Sequence, residues 1–109
     1  MTVSRYKFHE ICHVEDLWEG EMDVFSVKNT EILLIKTNDG FKAFQAQCPH
    51  QDIPLVEGKL MDGVLTCRAH LWQFDPKSGL GINPTNTCLK RYPVKIRGSG
   101  VWVGDEPIN

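Results

Sequence analysis

Short apolar runs, cut at close intervals by turn residues, set the rhythm of this chain. "MDVFSV" (22–27) alternates apolar and polar positions, as a strand with one face in a core must. "EILLIKT" (31–37) and "FKAFQAQ" (41–47) flank "NDG", which predicts a hairpin because Asn, Asp and Gly tolerate positive φ. "KLM" (59–61) and "VLTC" (64–67) flank "DG" in the same way. "LWQFD" (71–75) runs into the turn "PKSG", and "YPVKIR" (92–97) and "VWV" (101–103) flank "GSG" as a final hairpin. Only "HVEDLWEG" (13–20) suits a turn of helix. With no internal repeat and no low-complexity linker, the pattern predicts one small all-β, antiparallel domain over residues 1–109.

Charge narrows the partners. The formal net charge is -2, which argues against a nucleic-acid surface, since neutralising phosphates takes clustered Lys and Arg. The densest basic group, Lys90 and Arg91 with Lys95 and Arg97, alternates with apolar residues and reads as the solvated face of a strand. The opening "MTVSRYKFHE" lacks the apolar run of a signal peptide, and no stretch is long enough to cross a bilayer. The expected compartment is the cytoplasm, where thiols stay reduced. Four cysteines there suggest metal ligands or bystanders before disulfides.

The chemistry is concentrated in "CPHQDIPLVEGKLMDGVLTCRAHLW" (48–72). It holds a Cys-x-His, Cys48 and His50, and a Cys-x-x-His, Cys67 and His70, with 16 residues between. The first pair follows a strand and opens a loop, and the second lies across a short turn. Two hairpin tips can therefore face each other, each offering one sulfur and one nitrogen, and rigid loops lower the entropy cost of assembling four ligands. Two thiolates and two imidazoles suit a single zinc ion or a [2Fe–2S] cluster with both sulfurs on one iron and both nitrogens on the other. The spacing leans towards the cluster, because zinc knuckles more often use tight Cys-x-x-Cys pairs, and zinc stays open at this point.

The pattern C-P-H … C-x-x-H-x-W-x-F, followed by Gly79, Pro84 and "YPV", resembles the Rieske [2Fe–2S] family over residues 44–103. "CPHQ" (48–51), "EG" (57–58), "CRAHLW" (67–72), "GINP" (81–84) and "YPV" (92–94) resemble most the Rieske ferredoxins of toluene and o-xylene monooxygenases. The opening "ICHVEDLWEGEM" (11–22) resembles that group's first strand and turn. The resemblance implies a Rieske fold, antiparallel sandwich or barrel-like sheets with a small cluster-binding subdomain at about 46–86. It gives the ligand roles to Cys48, His50, Cys67 and His70, with one cluster per chain, and places Gln51, Ala69, Leu71, Trp72 and Pro84 around it. It further implies an electron-carrying component rather than an enzyme, expected to be a monomer. The donor would be a flavin-containing NADH-dependent reductase and the acceptor the diiron hydroxylase of an aromatic-hydrocarbon monooxygenase. A ferredoxin of a Rieske ring-hydroxylating dioxygenase is the alternative. Remoter ones are a nitrite reductase small subunit and a zinc-stabilised structural module. No phosphate loop or nicotinamide fingerprint is present, so electrons must arrive from another protein.

The ligand set bears on redox behaviour. Two neutral imidazoles in place of two thiolates remove negative charge, so the added electron meets less repulsion and the potential rises. In many high-potential relatives an extra cysteine in each box forms a disulfide, and Ser and Tyr hydroxyls bond the cluster sulfurs. The matching positions here are Ile53, Ala69, Trp72 and Phe74, which supply neither. These departures predict a potential near the low end of the Rieske range, about -150 mV. Leu71 stands where many members have Gly.

Other residues read more plainly. Cys12 with His9 and His13 is not expected to bind a metal, since neighbouring strand residues face opposite ways, and Cys12 reads as a small buried thiol between surface histidines. Cys88 is expected to pack beside the cluster loop, and Trp18 and Trp102 to be core or semi-exposed packing groups before electron relays. Pro49, Ile53, Pro54, Leu71 and Trp72 are the candidate docking patch for a transient partner.

Overall fold

The computed structural model describes residues 7–49, 51–68 and 72–108. The strands are β1 (Phe8–His13), β2 (Met22–Val27), β3 (Thr30–Thr37), β4 (Gly40–Gln45), β5 (Lys59–Met61), β6 (Val64–Thr66), β7 (Gln73–Phe74), β8 (Gly81–Asn83), β9 (Arg91–Tyr92), β10 (Val94–Arg97) and β11 (Gly100–Gly104). They form three antiparallel sheets, ordered β1-β11-β10, β2-β3-β4-β9 and β5-β6-β7-β8. Single 3₁₀ turns cover Val14–Asp16 and Leu55–Glu57.

The continuous apolar run in β3 explains the layering. Successive side chains of a strand point to opposite faces. Ile32 and Leu34 enter a first core with Cys12, Val27, Ala43, Tyr92, Val101 and Val103. Leu33 and Ile35 enter a second core with Phe44, Cys48, Leu55, Leu65, Cys67, Phe74 and Leu89. The middle sheet is thus buried on both faces, and β3 reads as unbroken hydrophobicity for that reason. The first core joins it to the β1-β11-β10 sheet, and the second joins it to the small sheet of residues 59–83.

The expected hairpins form, although the first turns on Asn38-Asp39 alone and Gly40 already belongs to β4. Thr37 pairs with Gly40 around Asn38-Asp39, and the buried Thr37 hydroxyl donates to the Gly40 carbonyl at 2.9 Å while accepting from the Asp39 N–H at 3.0 Å. Met61 pairs with Val64 around Asp62 and Gly63, which take φ of 54° and 71° as a tight turn with matching twist requires. The run 92–97 is broken at Pro93, which has no N–H to donate, so β9 joins the middle sheet and β10 the first. The run 71–75 gives only the two residues of β7 within the described chain. Trp18 is 77% exposed rather than packed: it lies in the turn after the first 3₁₀ turn, where its backbone N–H donates to Glu21 Oε1 at 2.7 Å.

Gly58 marks the entry to the third sheet. A Cβ there would collide with the Thr66 carbonyl, because the chain passes directly against β6 before Lys59 pairs with Thr66. At the other end of the molecule Asp105 ties three segments together. Its carboxylate, 6% exposed, meets His9 Nε2 at 3.1 Å, Lys28 Nζ at 3.5 Å and the Lys7 N–H at 3.0 Å. The bonds from His9 and the Lys7 N–H, with the Lys28 charge, hold its pKa below the usual carboxylate range.

Two predictions follow from these contacts. Gly58→Ala should cost about 1–3 kcal/mol in urea unfolding, as overpacking against rigid backbone does. Asp105 has a depressed folded-state pKa, so its contribution is complete above the ordinary Asp value near 4 and is lost as pH falls below it. The midpoint of thermal unfolding in Asp105→Asn should therefore fall less steeply between roughly pH 4 and pH 2 than that of the unaltered protein.

Candidate metal centre

Three loops gather beside the second core. The first leaves β4 and returns at the Leu55–Glu57 turn. It is closed by Leu55 N–H to Ala46 C=O at 2.8 Å, by Cys48 N–H to Ile53 C=O at 2.9 Å and by Ile53 N–H to Gln51 C=O at 2.7 Å. Gln47 and Pro54 face each other across it. The second loop joins β6 to β7 and is closed by Cys67 N–H to Trp72 C=O at 2.7 Å, one step beyond the Thr66–Gln73 pair. The third follows β8, where Thr87 Oγ donates to the Pro84 carbonyl and Gly81 N–H donates to Thr87 C=O, both at 2.8 Å.

Cys48 and Cys67, one at the root of each of the first two loops, are brought into the same apolar core, 3% and 0% exposed. Leu55, Leu65 and Phe74 complete that wall. A thiolate in such surroundings has lost its hydration and needs a cation to compensate, and a soft metal does this best. The donor set therefore fits an iron–sulfur centre on the sulfur side. His50 and His70, with Ala69 and Leu71, lie outside the described residues.

The remaining expected neighbours are placed as follows. Trp72 is half-buried against the second core and offers its carbonyl to Cys67. Phe74 is fully buried in the same core and, being Phe, presents no hydroxyl to the sulfur side. Gln51 is exposed, and its carbonyl bonds Ile53 within the first loop. Pro84 is half-buried at the start of the third loop. Of the expected docking residues, Pro49 is exposed and Ile53, Pro54 and Trp72 are half-buried, while Leu71 falls outside the described chain.

The other two cysteines stand apart. Cys12 pairs with Val101 in the first core, and burial, helped by Asp16, Asp23 and Glu10, pushes its thiol up to about 11. His13 beside it is exposed and His9 is engaged with Asp105. Cys88 is exposed, not packed: it bridges Leu80, itself 61% exposed, and directly opposed residues share the outward face.

Sequence reasoning missed several supports of the loops. Gln45 braces the first loop from the strand before it, its amide donating to Gln47 C=O at 2.7 Å and accepting from Lys90 N–H at 2.8 Å. Arg68, next to Cys67, is paired with Glu57 at the close of the first loop, Nε to Oε1 3.1 Å. A Gln in an alternating strand and an isolated charge in a loop carry no sequence signal of their own. The dipeptide "EG" (57–58) did, although nothing in it named the partner.

Known proteins agree with this geometry. The model of the Rieske [2Fe–2S] domain matches residues 7–93. The ferredoxin component of the alkene monooxygenase system of Xanthobacter autotrophicus is 50% identical over 94% of this chain and 84% of its own. The biphenyl dioxygenase ferredoxin subunit of a Pseudomonas species is 32% identical over 88% of this chain and 90% of its own. Among solved structures, a chain from the complex of reduced oxygenase and oxidised ferredoxin in carbazole 1,9a-dioxygenase superposes with a TM-score of 0.84, covering 94% of this chain and 96% of that one, at 23% identity. A domain match over most of the chain, together with two buried thiols at the roots of adjoining loops, places this chain in the Rieske [2Fe–2S] family.

Proposed function

We propose that Cys48, His50, Cys67 and His70 hold a single [2Fe–2S] cluster and that the protein is an electron-carrying ferredoxin of a hydrocarbon monooxygenase system. One observation carries the reading: the second core draws Cys48 and Cys67 together beneath two loops, each of which bears a histidine two or three residues on. The cluster-bearing portion is about residues 46–86 of a single domain, in a monomer that works in the cytoplasm. When bound, the cluster supplies reversible storage of one electron.

The protein's own residues do the rest. Leu55, Leu65 and Phe74 exclude water from the sulfur side, which strengthens every charge interaction there. The bonds Cys48 N–H to Ile53 C=O and Cys67 N–H to Trp72 C=O fix the two loop roots, so little has to move when charge changes. Phe74 and Trp72 lend no hydroxyl to the site, which keeps the potential near the low end of the Rieske range, about -150 mV.

The donor is a flavin-containing NADH-dependent reductase and the acceptor the diiron hydroxylase of the system. The 50% identity to the ferredoxin component of an alkene monooxygenase system supports a monooxygenase as the acceptor, and the hydrocarbon itself never touches this chain. The similarity to a biphenyl dioxygenase ferredoxin subunit supports a second reading, a carrier for a ring-hydroxylating dioxygenase.

Reconstitution separates the two. Purified protein with a reductase should sustain turnover of a monooxygenase hydroxylase on toluene or a short alkene. Turnover only with a dioxygenase terminal component would favour the second reading, and failure with both would remove the carrier role. His70→Cys should lower the midpoint potential in a redox titration, because a thiolate would add negative charge where a neutral imidazole would hold the cluster. A rise would contradict the ligand assignment.

A further inference from the structure

The contact between Glu57 and Arg68 spans the two proposed cluster loops. Glu57 ends the 3₁₀ turn that closes the first loop, and Arg68 directly follows Cys67. Their side chains meet at 3.1 Å, Nε to Oε1. The backbone beneath them is joined independently: Gly58, next to Glu57, lies so close to the Thr66 carbonyl that a Cβ would collide with it, and Thr66 is next to Cys67. Leu55, two residues before Glu57, is fully buried with Cys48 and Cys67. Side-chain pair, backbone apposition and apolar anchor thus converge on one seam between the loops.

Both side chains of the pair remain about half exposed, at 49% and 60%. An exposed ion pair adds little to global stability. Its effect must therefore be sought locally, in how the loops stay together and in the charge felt beside Cys67. Arg68 brings a permanent positive charge next to a proposed ligand, and Glu57 offsets it. Lys59, exposed at the start of β5, pairs with Thr66 at the seam, and Asp52 in the first loop is exposed as well.

We infer that Glu57 and Arg68 form an electrostatic latch between the roots of the two proposed cluster loops, which holds those roots together and keeps the charge beside Cys67 near neutral. Both are positioning residues; neither touches the proposed cluster. The inference rests on the ligand assignment above and adds a control on potential and on iron retention.

The latch makes predictions of opposite sign for its two halves. Removing the carboxylate leaves Arg68 uncompensated, which favours the reduced cluster and raises the midpoint potential. Removing the guanidinium leaves Glu57 uncompensated and lowers it. At a fixed ambient potential each change should shift the ratio of reduced to oxidised protein by about two- to fivefold, and less at high salt. A role confined to packing would not give opposite signs.

The experiment is a redox titration, read by visible absorbance, on Glu57→Gln, Arg68→Gln and the exchange Glu57→Arg with Arg68→Glu. Alongside it, the rate of iron release to a chelator is measured in each. The latch predicts a raised potential in Glu57→Gln, a lowered one in Arg68→Gln, iron release about two- to fivefold faster in both, and recovery of both readouts in the exchange variant. Shifts of the same sign, unchanged potentials, or an exchange variant that behaves like the single changes would overturn it. Should a single variant fail to keep its cluster, the exchange variant decides: retention supports the latch and loss overturns it. Unaltered protein prepared without air that holds no iron would overturn the ligand assignment itself, and the latch with it.

Discussion

Burial of two sulfur atoms in one apolar core is the constraint on which the molecule turns. Cys48 arrives from the middle sheet and Cys67 from the small third sheet, and neither sheet supplies both. Their meeting depends on Leu33 and Ile35 pointing one way from β3 while Ile32 and Leu34 point the other. One strand therefore serves two cores: the first holds the frame together, and the second joins the frame to the loops. A core that brings two buried cysteines together offers a soft metal two sulfur donors on one side.

The proposed site is built in shells that differ in kind. Beneath the sulfurs lie Leu55, Leu65 and Phe74, which contribute shape and dryness. Around the loop roots lie backbone bonds and the Gln45 amide, which contribute position. At the rim stands the Glu57–Arg68 pair, which contributes charge at little cost in global stability. This division suits a carrier, whose potential must be tunable from the surface while its core stays rigid.

Much of the fold was legible in the sequence. "NDG" and "DG" marked two turns that the structure has, with positive φ at Gly40 in the first and at Asp62 and Gly63 in the second. The buried place of Cys12 was legible from its residue type, a small thiol between two polar histidines. The misreadings share a cause, namely that they depend on what lies opposite a residue. Trp18 looked like a packing residue by type, but it is exposed. Cys88 was expected to pack beside the cluster loop, yet it bridges Leu80 and is exposed. β8 was hidden inside "GINP", too short to show a period. At the site, the four proposed ligands were legible from spacing and family resemblance. The seam at Gly58 and Thr66, and the charge pair above it, join residues whose closeness only the fold creates.

The central claim is a mixed sulfur and nitrogen ligand set on a two-iron cluster. Electron paramagnetic resonance of the dithionite-reduced protein, purified without air, tests it most directly, because imidazole on one iron lowers the mean g-value relative to an all-cysteine cluster. The account predicts a red-brown protein with two irons per chain and that lowered mean g. A colourless protein without iron or labile sulfide, or a reduced spectrum with the mean g of an all-cysteine cluster, would contradict it.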